Sequence, residues 1–409
     1  MARKVLNSPA YVKPCIVDVA EKLLRPENFV FLHGKAHVEY RKGLNGLFTR
    51  QGLETYLPGQ QEIYREYFEE FVKDSQEAGE ARPYVYRLRE LMCSVSCRTF
   101  VGHYMSHAQV KKIADDYYMI TAAMELVNFP IILPYTKAWY GKKASDVVLE
   151  LFASCAAKAK VRMRQKGAQP ECLIDRWIAQ MMESERYRAR VAKGESVPEE
   201  EKPANLVREF SEFEISMTLF SFLFASQDAT SSACSWVVQL LADRPEMLAK
   251  VREEADRVRP NHKSDVTLSQ LEQMEYTRAC VKETLRYRPP VLMIPYEVKQ
   301  PFPLTDTYTA RPGSMIIPSF YLALHDPEVY NEPDVYDPDR WIQGDAESQT
   351  KNWLVFGAGP HYCIGQQYAT LNLMLLLHML AREYEWEHKI TERSEDIRVF
   401  ATIFPMVSL

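Results

Sequence analysis

Apolar residues recur at helical spacing through most of the first 270 residues of this 409-residue chain. The pattern predicts helices over 34–48, 60–71, 84–101, 108–126, 144–166 and 174–192. A proline-containing stretch, 128–135, interrupts it, and 194–203, with Glu199, Glu200 and Glu201, reads as a solvated loop. From Leu206 to Ala242 the helical pattern runs unbroken, and its centre is apolar on nearly every side. That predicts a helix passing through a core rather than over one. Arg244-Pro245 opens another helix, through Arg259. Ser269 followed by Glu272 reads as a capping box, and the helix it opens ends at Arg288, since Pro289-Pro290 cannot continue it.

The texture then changes. Residues 291–318 carry Pro and Gly punctuation around Tyr296-Glu297-Val298 and Ser314 to Ile317, which read as strands of a small sheet. Asp326 to Trp341 holds three prolines and reads as an extended meander. Cys363 to Tyr384 is again a helix, and Ile397 to Phe404 a strand. The expected class is mainly α with a small β region, at about 291–318 and 397–409, in one domain over 1–409.

Composition narrows the function. Hydrophobic residues at 46% and charged residues at 26% exclude a disordered chain. The net charge of −5 gives no basic footprint for nucleic acid. No run of 18 apolar residues suggests a membrane span, and Ile215 to Ala225, the nearest candidate, reads as buried inside protein. The opening MARKVLNSPAYVK lacks the apolar core of a secretory signal. The eight cysteines are scattered, with no C-x-x-C pair, so seven read as buried thiols.

Cys363 is the exception. It sits in FGAGPHYCIG, Phe356 to Gly365, immediately before a helix. Gly357, Gly359 and Gly365 let backbone amides turn towards a sulfur, and the helix adds partial positive charge. Such a setting stabilises a thiolate that could serve as a metal ligand. Read alone, the same loop also suits a Gly-rich turn around a buried thiol. Two further constellations precede it. Glu283 and Arg286 lie at i, i+3 on one helix face, where a surface ion pair is the common reading. Pro338-Asp339-Arg340-Trp341 closes the meander.

In that order, ExxR, PDRW and FGxGxHxCxG resemble the cytochrome P450 superfamily over nearly the whole chain. The resemblance implies a P450 fold with haem b, Cys363 as its axial thiolate and iron ligand, and Phe356 packed beside the sulfur. Glu283, Arg286 and Arg340 match the family's buried charge triad. His37 and Arg41 match its W-x-x-x-R positions, with His where Trp is usual, and His361 stands where Arg is usual. These three would bond the haem propionates; ordinary surface histidines are the alternative for His37 and His361. Phe224-Ala-Ser-Gln-Asp-Ala-Thr230 matches the oxygen-binding segment. Asp228 takes the acid position, Ala229 stands where the family usually has Thr, and Thr230 follows. That departure leaves the proton relay to Thr230, Ser226 or water, and a plain helix-kinking role for Asp228 stays open.

The segments ENFVFLHGKAHVEYRKGLNGLFTR, DDYYMITAAMELVNFPIILPYTKAWYGKK, FASQDA, ETLRYRPPVLMIPYEV and VFATIFP are similar to the fungal sterol C-22 desaturases. This resemblance implies a C22=C23 double bond introduced into a sterol side chain in ergosterol biosynthesis. O2 would be consumed, with electrons from NADPH through a cytochrome P450 reductase. It also implies a place on the cytosolic face of the endoplasmic reticulum membrane. Apolar residues expected to line the substrate site are Phe224, Ala225, Val291, Leu292, Met293, Phe400 and Ile403, with plain core as the alternative. Family members carry a membrane anchor, a helix and strands ahead of the segment that Met1–Pro14 resembles, an internal helix, and further β structure after Leu409. The chain is expected to be short of these. A haem-binding remnant without catalysis, or a related sterol P450 such as the 14α-demethylase, are the competing readings.

Overall fold

Regular apolar spacing gave helices where it was expected. The computed structural model describes residues 1–15, 18–124, 131–261, 264–394, 396–399 and 402–406. Its long helices run over Gly34–Asn45, Arg50–Ala78, Val85–Val101, His107–Met124, Lys137–Met163, Leu173–Ala192, Glu212–Ala242, Pro245–Val258, Glu275–Tyr287 and Gln366–Glu383. The helix expected over 60–71 is the middle of Arg50–Ala78, which carries Pro58 inside it. Leu53, Tyr56 and Leu57 before the proline and Ile63, Tyr64 and Tyr67 after it are all buried. A buried stripe on both sides outweighs the lost backbone bond.

Several sequence expectations are corrected. The long apolar helix begins at Glu212, not Leu206. Val207 is buried, but its N–H donates to Ser184 Oγ at 3.0 Å and its carbonyl accepts from Arg188 Nη2 at 3.0 Å. Those side chains satisfy the backbone without a helix. The capping box is Thr267 with Gln270, two residues ahead of the expected Ser269 with Glu272. The short helix it opens, Leu268–Glu272, stops, and a second begins at Glu275. Glu254, from a neighbouring helix, accepts from the N–H groups of Tyr276 and Thr277, both at 2.8 Å, and so caps that second start. The strand expected over Ile397–Phe404 is an antiparallel pair, Ile397–Val399 with Ile403–Pro405. Pairing buries Ile403 and Phe404, while the Ile397 arm stays exposed.

The chain forms two compact units. The first comprises Met1–Ile16, Tyr64–Met92 and Ser226–Leu409. In it Pro245–Val258, Glu275–Tyr287 and Gln366–Glu383 pack against one another. Its small sheet is antiparallel, with Tyr296–Val298 between Val12–Pro14 and Met315–Ile316. Met1–Pro14, expected to resemble a helix, is helical only over Ala2–Leu6; Val12–Pro14 is one of the sheet's two edge strands. Val5, Leu6, Val12, Tyr296, Val298 and Ala358 share one apolar core there.

The second unit comprises Val17–Ile63 and Cys93–Ala225. His107–Met124 and Lys137–Met163 pack along each other in it. Gly141 permits their close approach, since a Cβ there would sit 2.7 Å from the Met119 carbonyl oxygen.

Candidate active site

The Cys363 loop is built by glycine conformations and anchored by one apolar residue. Gly357 and Gly359 take φ of 73° and 72°. Between them Ala358 is buried in the small-sheet core. A side chain at Gly359 would collide with the Leu6 carbonyl, so this position combines positive φ with a close backbone approach. The Cys363 N–H donates to the Phe356 carbonyl at 2.9 Å, and the Tyr362 N–H to the Gly359 carbonyl at 3.0 Å. A 3₁₀ turn, Gly359–His361, leads in, and the helix Gln366–Glu383 leads out.

The loop presents its sulfur. Cys363 is exposed, Cys15 is half-buried, and the other six cysteines are buried. Burial pushes the Cys155 thiol up to about 11, which keeps it protonated. Cys363 instead stands just ahead of an 18-residue helix, on the side where positive partial charge collects. Burial, and then Cys363 beside it, raise the Tyr362 phenol above its usual value. A presented sulfur on a glycine-shaped loop is the donor set a haem iron requires, so these residues fit that group. Phe356 and His361 lie in the same loop and are half-buried.

Glu283, Arg286 and Arg340 form one buried network. Glu283 and Arg286 have no exposed surface, and Arg340 has 9%. Glu283 Oε1 accepts from Arg286 Nη2 at 2.8 Å, Arg340 Nε at 3.0 Å and the Asp337 N–H at 3.0 Å. Its Oε2 accepts from Arg286 Nε and Trp341 Nε1, both at 2.9 Å. The guanidiniums then gather carbonyls: Arg286 that of Leu324, just ahead of the meander, and those of Pro333 and Val335 within it, and Arg340 those of Asn331 and Val335. Five donors on one carboxylate satisfy a charge that burial would otherwise make untenable.

On the central helix, Asp228 and Thr230 are buried, while Ala229 and Phe224 are half-buried and Ala225 is exposed. Arg89 Nη1 lies 2.6 Å from Asp228 Oδ1. Sequence reading missed Arg89, which belongs to no motif. Ile403 is buried, and its carbonyl accepts from Trp236 Nε1 at 3.2 Å and from Ser232 Oγ. Val291 packs against the small-sheet core, which favours a core role for it. The Leu292 carbonyl accepts from the Phe320 N–H at 2.8 Å, and Met293 is 52% exposed. Phe400 lies outside the described residues.

In the second unit, His37 and Arg41 stand four apart on Gly34–Asn45, hence on one face. His37 is buried, so the surface-histidine reading fails for it. Burial, then Arg41 and His33, lower its pKa, which leaves a neutral ring with one N–H to donate.

The chain matches the family model for cytochrome P450 over residues 2–404. It is 60% identical to C-22 sterol desaturase erg5 of Aspergillus fumigatus over 409 residues, covering 100% of this chain and 78% of that protein. It is 50% identical to C-22 sterol desaturase ERG5 of Saccharomyces cerevisiae over 408 residues, covering 99% of this chain and 74% of that protein. In structure it resembles retinoic acid-bound cyanobacterial CYP120A1, with a TM-score of 0.77 at 21% identity, covering 97% of this chain and 83% of that one. The mainly helical class and the P450 fold expected from the sequence are therefore borne out. A glycine-shaped loop presenting one cysteine, a buried Glu-Arg-Arg network and a family match along almost all of its length place this chain in the cytochrome P450 family, whose cofactor is a thiolate-ligated haem.

Proposed function

We propose that this protein is a sterol C-22 desaturase of ergosterol biosynthesis, acting as one catalytic domain. The observation that carries the reading is identity of 50–60% to C-22 sterol desaturases along essentially the whole chain. Ala229, where the family usually has Thr, supports it over the 14α-demethylase. The net reaction joins the sterol, O2, NADPH and a proton to give the C22=C23 alkene, two waters and NADP+. A P450 reductase delivers the electrons, and the work is done at the cytosolic face of the endoplasmic reticulum membrane. Among the described residues no helix is long and apolar enough to cross a membrane.

Cys363 would hold haem b through its thiolate, with Phe356 beside the sulfur and His37, Arg41 and His361 bonding the propionates. When bound, the haem supplies O2 activation strong enough to remove hydrogen from an unactivated carbon. The rest falls to the chain. Phe224, Ala225, Leu292, Met293 and Ile403 hold the sterol side chain so that C22 and C23 lose hydrogen in turn, a positioning effect. Asp228 handles protons, with the hydroxyls of Ser226 and Thr230 each two residues away along the helix.

Ala229 keeps a hydroxyl and its ordered water away from the reacting carbon. Ala229→Thr is expected to retain haem and shift product from alkene towards hydroxysterol, because desaturation needs the second hydrogen to leave first. A β-branched residue in the helix adds a fold penalty of only a few tenths of a kcal/mol, roughly. Alkene-to-alcohol ratios for Ala229→Thr and Thr230→Ala test this. An unchanged ratio in the first, with lost oxygen consumption in the second, would move the role to Thr230.

A further inference from the structure

Asp228 is held from outside its own helix. Its carboxylate and the Arg89 guanidinium are 2.6 Å apart, with side-chain exposures of 6% and 16%. The Arg89 carbonyl accepts from Gln227 Nε2 at 2.7 Å, so the two helices are tied at this turn by backbone as well as by charge. The same guanidinium lies over the Phe404 ring, 5.5 Å from its centre. Thr402 Oγ1 donates to the Asp228 carbonyl at 3.3 Å. Every one of these residues belongs to the first unit.

One arginine therefore stands within ion-pair distance of the proposed proton-handling acid and over a ring of the C-terminal hairpin. Arginine is suited to both at once: its planar fork pairs a carboxylate while its π-face stacks on a ring. A lysine ammonium, a compact point charge, cannot hold both partners in that geometry.

We propose that Arg89 is a positioning residue that fixes the Asp228 carboxylate and the Ile403–Phe404 wall together, coupling proton supply to the fit of the sterol side chain. The inference rests on the proton role proposed for Asp228. Without Arg89 the carboxylate loses its set direction, and proton delivery falls behind electron delivery. Reduced oxygen then escapes as hydrogen peroxide rather than going forward to water. The hairpin, meanwhile, loses the contact between Phe404 and Arg89 on the helix Val85–Val101.

The test uses the haem-loaded protein with reductase and reads two quantities. One is peroxide released per NADPH consumed, as a function of pH. The other is the sterol-induced shift of the ferric haem spectrum, an equilibrium titration that needs no turnover. Arg89→Met should load haem normally, raise peroxide release about tenfold and weaken sterol binding about threefold. Arg89→Lys should return peroxide release towards the parent value while sterol binding stays weak, and it carries the test if Arg89→Met loses haem. Asp228→Asn should raise peroxide alone, and adding Arg89→Met to it should raise peroxide no further, as expected of residues acting through one another.

Parent-like peroxide release and pH profile in Arg89→Met, with Asp228→Asn clearly uncoupled, would overturn the positioning role. Additive peroxide effects in the double variant, or parent-like sterol binding in Arg89→Lys, would do the same. Unchanged peroxide in Asp228→Asn would instead overturn the proton role of Asp228, and the inference with it.

Discussion

Cys363→Ser should yield folded protein that has lost the thiolate-type spectrum of the reduced carbon monoxide complex, together with all sterol turnover. The side chain is exposed, so exchanging sulfur for oxygen leaves the packing of the loop intact. The loop's shape comes from Gly357, Gly359 and the buried Ala358, none of which the substitution touches. What is lost is chemical. A serine hydroxyl does not ionise near neutral pH, so no anionic sulfur remains to donate electron density to iron. The same substitution at Cys155 or Cys280 should leave the spectrum unchanged, because burial raises both thiols above their usual range. Survival of the spectrum in Cys363→Ser, with its loss in another cysteine variant, would move the iron ligand elsewhere.

The second large effect is on folding. Glu283→Ala removes the carboxylate that pairs with both Arg286 and Arg340, and it leaves two guanidiniums without that anion. Breaking a buried pair in this way costs about 3–5 kcal/mol, a large part of a domain's net stability. The damage should spread along the meander, since the two arginines also hold the carbonyls of Asn331, Pro333 and Val335. The expected result is a low yield of haem-loaded protein, with near-normal product ratios in the fraction that loads. Loading equal to the parent protein's would reduce the network to the weak surface pair that its i, i+3 spacing alone suggests.

These two sites were legible because their chemistry is local in sequence. The glycine spacing around Cys363 states the turn, and the i, i+3 spacing of Glu283 and Arg286 states a shared helix face. Trp341 was visible within the PDRW stretch, though not as a donor to Glu283. What escaped was non-local. Val12–Pro14 is a strand only because Tyr296–Val298, far along the chain, offers it a ladder. Its three residues carry too little pattern to announce that. The capping box was misplaced because Thr267–Gln270 and Ser269–Glu272 match the same template; geometry, not composition, chose between them. The helix start at Glu212 likewise depended on Ser184 and Arg188, which no local window includes. Arg89 was invisible for the same reason: its meaning comes from Asp228 and Phe404, which the fold brings to it.

Sterol C-22 desaturation is tested most directly by product mass. Purified haem-loaded protein is incubated with a P450 reductase, NADPH, O2 and a panel of sterols with saturated side chains. The expected product has lost two hydrogens, with fragmentation placing the new double bond at C22–C23. A dominant product that has gained an oxygen, or lost its 14α-methyl group, would contradict the proposed function.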